Sequence, residues 1–351
     1  MNVLKWKIFL SNNLPTWAFR LLARAHRVGS LALARIPFFR ASRTALALRI
    51  PRRQLSKADR ARLASLGDPE LQQWEEAFAA YDATSTERVI DLGWTHKPVG
   101  GNFGDWLAPY IVRGAVGCGI RHVDLTDART SRHVVSLGSI ISRANDRSVV
   151  IGSGINSLKD TIDPGASFRM VRGHITREAL PPSARSADMP CCDPGFFMRQ
   201  LYRPRIDKAA SARLLIPHIN HHGLFSPMDC DEFELLSAHI CRPADIEGLI
   251  DRIASAQEVV TSAMHIFVMC CTFGVRCALV KPLAADVGVP GDGIKYRDCM
   301  TPVLADDFSP FMLDIRAGAR LSENVETKVY DIDYDHIEKS FEAFKAILEE
   351  T

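Results

Sequence analysis

Four stretches of this 351-residue chain collect side chains able to hold an anion and to move a proton. In TSAMHIFVMCCTFG (261–274), His265 stands at the mouth of an otherwise apolar run that opens with Ser262. In VRGHITRE (171–178), Arg172 and Arg177 flank His174, and guanidinium groups are shaped to grip carboxylates and phosphates. In IPHINHH (216–222), His218, His221 and His222 follow an apolar segment. In GGNFGD (100–105), glycines that permit close backbone approach surround Asn102 and Asp105. Such a set suits binding of a small, doubly anionic substrate with proton transfer; it reveals no covalent nucleophile. There is no GxSxG elbow, HExxH or kinase set, and GGNFGD is neither GxGxxG nor a P-loop, whose lysine it lacks. No acidic or cysteine partner is spaced to complete a metal set with the three histidines, so no metal is expected. Each candidate also has a plainer reading. His265 could be a packed core histidine, the arginines could lie on a surface loop, His221 and His222 could belong to a polar loop, and Asp105 could be a helix cap rather than a base.

The elements that must position these residues follow from pattern. Val259–Thr261 ends a short strand, Ser262 is a natural helix N-cap, 263–273 reads as a buried helix and Gly274 as its stop. The strand VRCALVKP (275–282) completes a βαβ unit. His265 then sits in the helix's first turn, where unpaired N–H groups and the helix dipole favour an anion. Upstream, 88–94, 133–141, 148–155, the start of 168–180 and the start of 212–222 read as strands. Segments 106–117, the end of 168–180, 245–256 and 333–350 read as helices, and 190–198 as a turn-rich loop. From residue 64, helical pieces precede this alternation. Strands alternating with helices predict an α/β chain with parallel sheets covered on both faces. Two such series predict two Rossmann-like domains facing a central cleft, 64–210 and 211–351. Ligands in such folds gather at the carboxyl ends of strands. That rule places 100–105, 152–156, 172–177, 218–222 and 262–265 around one cavity.

Residues 1–63 form a basic extension: they hold fourteen of the chain's 43 Lys and Arg but one of its 41 Asp and Glu. Arg20, Arg24 and Arg27 share one helical face, and Leu14, Trp17, Leu21 and Val28 fall largely on another. Such a helix lies on an anionic membrane surface, or packs on the protein with a solvated basic rim. No nucleic-acid reader motif accompanies the charge, so no nucleic acid is expected as a partner. No apolar run approaches the ~18 residues needed to cross a bilayer, and Asn12, Asn13 and Pro15 interrupt any signal-peptide core. Nine cysteines include two adjacent pairs and no CxxC. They read as reduced, mostly buried thiols of a cytoplasmic protein.

The stretches NFGDWLAPYIV, VVIGSGI, VRGHITREAL, CCDPGFF, IPHINHH and VVTSAMHIFVMCCTFGVRCALV occur in that order. Together they resemble the polysaccharide pyruvyl transferase family, and GDGIKYRDCMTP (291–302) is similar to a segment of its exopolysaccharide branch. The resemblance covers roughly residues 88–305. It implies a GT-B-like fold and transfer of pyruvate from phosphoenolpyruvate to a sugar as a cyclic ketal. It implies no cofactor, and an acceptor glycan that is lipid-linked at the inner face of a bacterial membrane. On that resemblance His265 contacts phosphoenolpyruvate and is a candidate proton donor. Arg172 is an anion clamp, Arg177 a second one, and Lys295 adds positive charge. Asn102 and Ser262 bind substrate, while Asp105 and His218 serve the acceptor as base or hydrogen-bonding group. Two positions depart from the family's pattern. Ala263 stands where some members have arginine, and Ile266 replaces the usual glycine, a bulky side chain expected to crowd the pocket. A nucleotide-sugar glycosyltransferase and a non-catalytic membrane scaffold of the same fold are the rival readings.

Overall fold

The computed structural model describes residues 69–81, 88–96, 98, 100–126, 131–207, 211–225, 232–282, 291–313 and 321–351. The basic extension 1–63, with its expected amphipathic helix, lies outside the described residues. The chain divides into two compact units, Met1–Gln73 and Trp74–Thr351. Of the first, only the start of helix α1 (Pro69–Tyr81) is described. The second contains both sheets and all the site residues described below.

Strands β1 (Val89–Gly93), β2 (Gly119–Val123), β3 (His133–Val135), β4 (Ser148–Ile151) and β5 (Ser167–Met170) form a five-stranded parallel sheet in the order β2-β1-β3-β4-β5. Strands β6 (Arg213–Ile216), β7 (Phe233–Leu235), β8 (Glu258–Thr261), β9 (Cys277–Pro282) and β10 (Phe311–Leu313) form a second, ordered β10-β9-β8-β6-β7 and again parallel. Counted from β6, the second order is the first one read from the other edge. The chain has built the same doubly wound sheet twice, consistent with two Rossmann-like domains. Inner strands such as β4, buried at every position, are apolar runs because elements cover both of their faces. Each sheet has its own core. Val135, Ile141, Val150 and Val171 anchor the first, and Leu215, Val260, Val280 and Leu313 the second.

The helices that matter here are α2 (Phe103–Val116), α3 (His174–Ala179), α4 (Pro243–Ser255), α5 (Met264–Thr272), α6 (Ile294–Met300) and α7 (Tyr334–Glu349). Every residue of α5 is buried, as befits a helix apolar on all sides and enclosed by its neighbours. It ends in a Schellman motif. Gly274 has φ +68°, its N–H bonds Cys271 O at 3.3 Å, and Val275 N–H bonds Cys270 O at 2.9 Å. A 3₁₀ turn, Pro194–Phe197, packs against α2, α5 and α7, with Phe197 between Phe341 and Phe344 at 5.4 and 5.0 Å. The closing helix α7 thus returns to elements of the first sheet.

Two strands are shorter than their patterns suggest. The run 133–141 is a strand only to Val135, and 148–155 only to Ile151. Beyond those points Ser153 Oγ donates to Gly138 O at 2.9 Å, so two strand-end loops are tied together rather than extended as ladders. Strands β2, β7 and β10 are not apparent in the hydropathy pattern, being short and partly exposed at or near the sheet edges. Among the described residues no helix is long and apolar enough to cross a membrane.

Candidate active site

In doubly wound sheets the strand order reverses at one point, and the loops leaving the strands there diverge to leave a crevice. Here those points lie between β1 and β3 and between β6 and β8. The segments leaving β1, β6 and β8 carry Asn102 with Asp105 in the first turn of α2, His218 with His221, and Ser262 with His265 in the first turn of α5.

At the end of β8, Thr261 Oγ1 donates to Ile216 O at 2.5 Å and accepts from Ala263 N–H at 3.0 Å. Ser262 Oγ accepts from His218 N–H at 3.0 Å and bonds His221 Nδ1 at 2.8 Å. The expected N-cap is therefore displaced by one residue. Ala263 occupies that position without a side-chain cap, because the Ser262 hydroxyl ties the β6 and β8 loops together instead. At 1 % exposure, Ser262 is a clip between loops rather than a surface for substrate.

His265 is the second residue of α5 and only 9 % exposed. Its ring lies against the first turn of α2: a Cβ built on Gly104 would come 2.2 Å from His265 Nδ1. The opposite nitrogen, Nε2, is buried without a hydrogen-bond partner and lies 3.7 Å from Asp193 Oδ2, which also lacks one. Asp193 Oδ1 accepts from Gly195 N–H at 2.8 Å. Burial alone would raise the Asp193 carboxyl, but His265, Arg172 and the Gly195 N–H together hold it below the usual carboxylate range. Ile266 is completely buried. Successive helical residues project about 100° apart, so its bulk enters the core around α5 and does not share the direction of His265.

Asp105 follows Gly104 and accepts from Asn102 Nδ2 at 2.8 Å. It is not the helix cap; Asn102 holds that position. Burial pushes the Asp105 carboxyl up to about 6, against the Asn102 hydrogen bond and the pull of His265, Lys295 and Arg143. Lys295, on α6, is lowered to about 8 by burial and by Arg172, with Asp105 acting in the other direction. His218 is lowered to about 3, first by burial and then by Lys295, His221, His239 and His265. Its Nδ1 accepts from Asn220 N–H at 3.1 Å, so Nε2 carries the proton and the ring is a neutral hydrogen-bond donor. Asn102, Asp105, His218 and Lys295 are all half-buried, so these groups combine desolvation with access to solvent.

Arg172 is elsewhere occupied. It is fully buried, with Nε and Nη2 both 2.8 Å from Asp298 Oδ2, Nη1 2.6 Å from Ser139 Oγ, and Nη2 2.6 Å from Ile155 O. Asp298 also accepts from Thr176 N–H and Oγ1 at 2.8 and 2.6 Å. The expected anion clamp is thus an internal ion pair that fastens α6 to the β5 loop. Arg177 also lies apart from the cluster: Nη1 donates to Ala187 O at 2.9 Å and Nε is 3.8 Å from Glu178.

The structure therefore brings together Asn102, Asp105, His265 and His218, with Lys295 acting on Asp105 and His218. Arg172 acts on Lys295 and Asp193 but commits its guanidinium donors to Asp298, Ser139 and Ile155, and Arg177 bonds Ala187 O. Sequence reasoning missed the roles of Asp193 and Asp298. Each sits inside a stretch quoted in the sequence analysis, CCDPGFF and GDGIKYRDCMTP, but neither has a local spacing that names its partner. Among the described residues no three His, Cys, Asp or Glu side chains are grouped to hold a metal, and the eight described cysteines are free and buried. No protein-family model matches the chain, and no curated protein matches it.

Proposed function

We propose that this protein transfers pyruvate from phosphoenolpyruvate to two hydroxyls of a glycan, giving a cyclic ketal and inorganic phosphate. The reading is carried by one observation: the His265 ring packs against Gly104, next in the chain to Asp105, and both His265 and Lys295, from separate stretches of the resemblance, favour the ionised form of that buried carboxyl. The reaction needs a proton delivered to the enol methylene, protons removed from two hydroxyls, and a steady grip on carboxylate and phosphate. The intermediates are oxocarbenium-like, so positioning and electrostatics matter more than a nucleophile. Lys295, with Arg143 at the exposed edge, supplies the positive side of the site, and His265 lies beside them as the candidate proton donor. Asp105, poised near neutrality, suits removal of a hydroxyl proton. His218 offers Nε2–H to a sugar oxygen. A lipid-linked acceptor on the cytoplasmic face of the membrane would give the basic extension a purpose, holding the enzyme peripherally at an anionic surface.

The test is a thermal-shift titration of the full chain with phosphoenolpyruvate, beside a panel of nucleotide sugars. Ligand at 100 times its dissociation constant adds about 2.7 kcal/mol of stability. Stabilisation by phosphoenolpyruvate that disappears in His265→Ala is the expected result. Stabilisation by a nucleotide sugar alone would replace this reading with a glycosyltransferase.

A further inference from the structure

We propose that Asp193 is a positioning residue that holds the His265 imidazole with its proton on Nε2, making Nδ1 the nitrogen that works on substrate. The reaction it would serve rests on the pyruvyl-transfer reading; the geometry that argues for it does not.

Asp193 is 0 % exposed, so no solvent compensates its carboxylate. One oxygen is satisfied by Gly195 N–H, while the other and His265 Nε2 are both buried and unpaired, 3.7 Å apart. Buried polar atoms without partners are costly and uncommon, and two complementary ones facing each other call for an explanation. The separation is beyond a direct hydrogen bond, but in a site closed to solvent the carboxylate still favours an N–H over a lone pair on the nitrogen facing it. With the proton on Nδ1 instead, the Nε2 lone pair would face the carboxylate, which is repulsive. With the proton on Nε2, the ring donates toward Asp193 and its Nδ1 lone pair lies against Gly104, beside Asp105. Gly104 makes that approach possible, since any Cβ there would meet Nδ1.

The charged and titratable groups acting with the ring are Asp193 on one side and Asp105 and His218 on the other. In catalysis the doubly protonated ring gives its Nδ1 proton to the enol methylene. The enol π pair forms the new C–H bond, the N–H pair stays on Nδ1, and positive charge moves to the carbon bearing the phosphate ester. The ring left behind is the neutral Nε2–H form that Asp193 holds.

The experiment is ¹⁵N NMR of the full chain carrying ¹⁵N-labelled histidine, with His265→Gln identifying the His265 signals. The wild-type protein in its neutral form is expected to show a protonated Nε2 and an unprotonated Nδ1. Asp193→Asn keeps the acceptor for Gly195 N–H, and it should move the Nδ1 resonance into the protonated region or give a mixture of tautomers. An Nδ1–H tautomer in the wild type, or an unchanged tautomer in Asp193→Asn, would overturn the proposal. If Asp193→Asn does not fold, the wild-type spectrum alone decides. Added phosphoenolpyruvate should perturb the Nδ1 resonance. A spectrum with the expected tautomer that does not respond to phosphoenolpyruvate supports the positioning role and counts against the substrate.

Discussion

Asp105 is a carboxylate kept where charge is unwelcome. Burial raises it to about 6 although Asn102, His265, Lys295 and Arg143 all favour ionisation. A carboxyl that binds its proton more tightly when folded costs stability as pH climbs from its unfolded value near 4 through about 6. The Asn102 hydrogen bond survives Asp105→Asn, since the amide oxygen still accepts. That variant should therefore be more stable than wild type at pH 7.5, by on the order of 1 kcal/mol after allowing for partial exposure. The gain should vanish at pH 4 or below. Urea unfolding at the two pH values checks this, and an equal difference at both would remove the electrostatic explanation. On the proposed pyruvyl-transfer reading, phosphate release should also fall in this variant, because that reading assigns Asp105 the removal of a hydroxyl proton.

At the scale of elements, the site depends on how α6 is docked. Its Asp298 accepts from Arg172 and Thr176, and a Cβ on Gly173 would lie only 1.9 Å from Asp298 O, so the helix and the β5 loop are in direct backbone contact. Asp292 fastens the start of the same segment through Ser157 Oγ and Leu158 N–H at 2.8 and 2.9 Å. Lys295 stands on this docked helix and favours the ionised form of Asp105. Removing one member of a buried ion pair leaves the other charged and unpaired, at about 3–5 kcal/mol. Arg172→Ala should accordingly lower the melting temperature steeply, with lost activity as a consequence of lost structure. A well-folded, wild-type-stable Arg172→Ala that fails to respond to phosphoenolpyruvate would return this arginine to the substrate.

At the scale of the molecule, one strand order used twice supplies two reversal points, and loops from both contribute to the cluster. The 3₁₀ turn that follows Asp193 is packed by α2, α5 and α7 together, so the residue behind His265 is held by elements far apart in the sequence. The basic extension adds a separate expectation. Truncation of residues 1–63 should reduce binding to anionic vesicles in low salt, and the wild-type binding should weaken as salt is raised. Equal binding by the truncated and full chains would dismiss a membrane role for the extension.

The sequence by itself determined the alternation of buried strands and helices, the α5 helix with its glycine stop, and the polar stretches that follow the strands. Those features are local: apolar runs, period, and turn residues express the backbone directly. It also offered His265, Asp105 and Lys295 as candidates, since residue type at a strand end or helix start is legible without knowing its partners. Partner choice was decided only by tertiary structure. Arg172 and Lys295 are both cations in the stretches quoted above, yet one is held by Asp298 while the other acts on Asp105. Ser262 had the character of a cap but became a clip between loops, since His218 and His221 arrive from another strand. Asp193 and His265 are far apart in the chain, and no local pattern encodes the packing of α5 and the 3₁₀ turn that sets them face to face. Pairing across such distances depends on which elements bury one another, and that is a property of the folded whole.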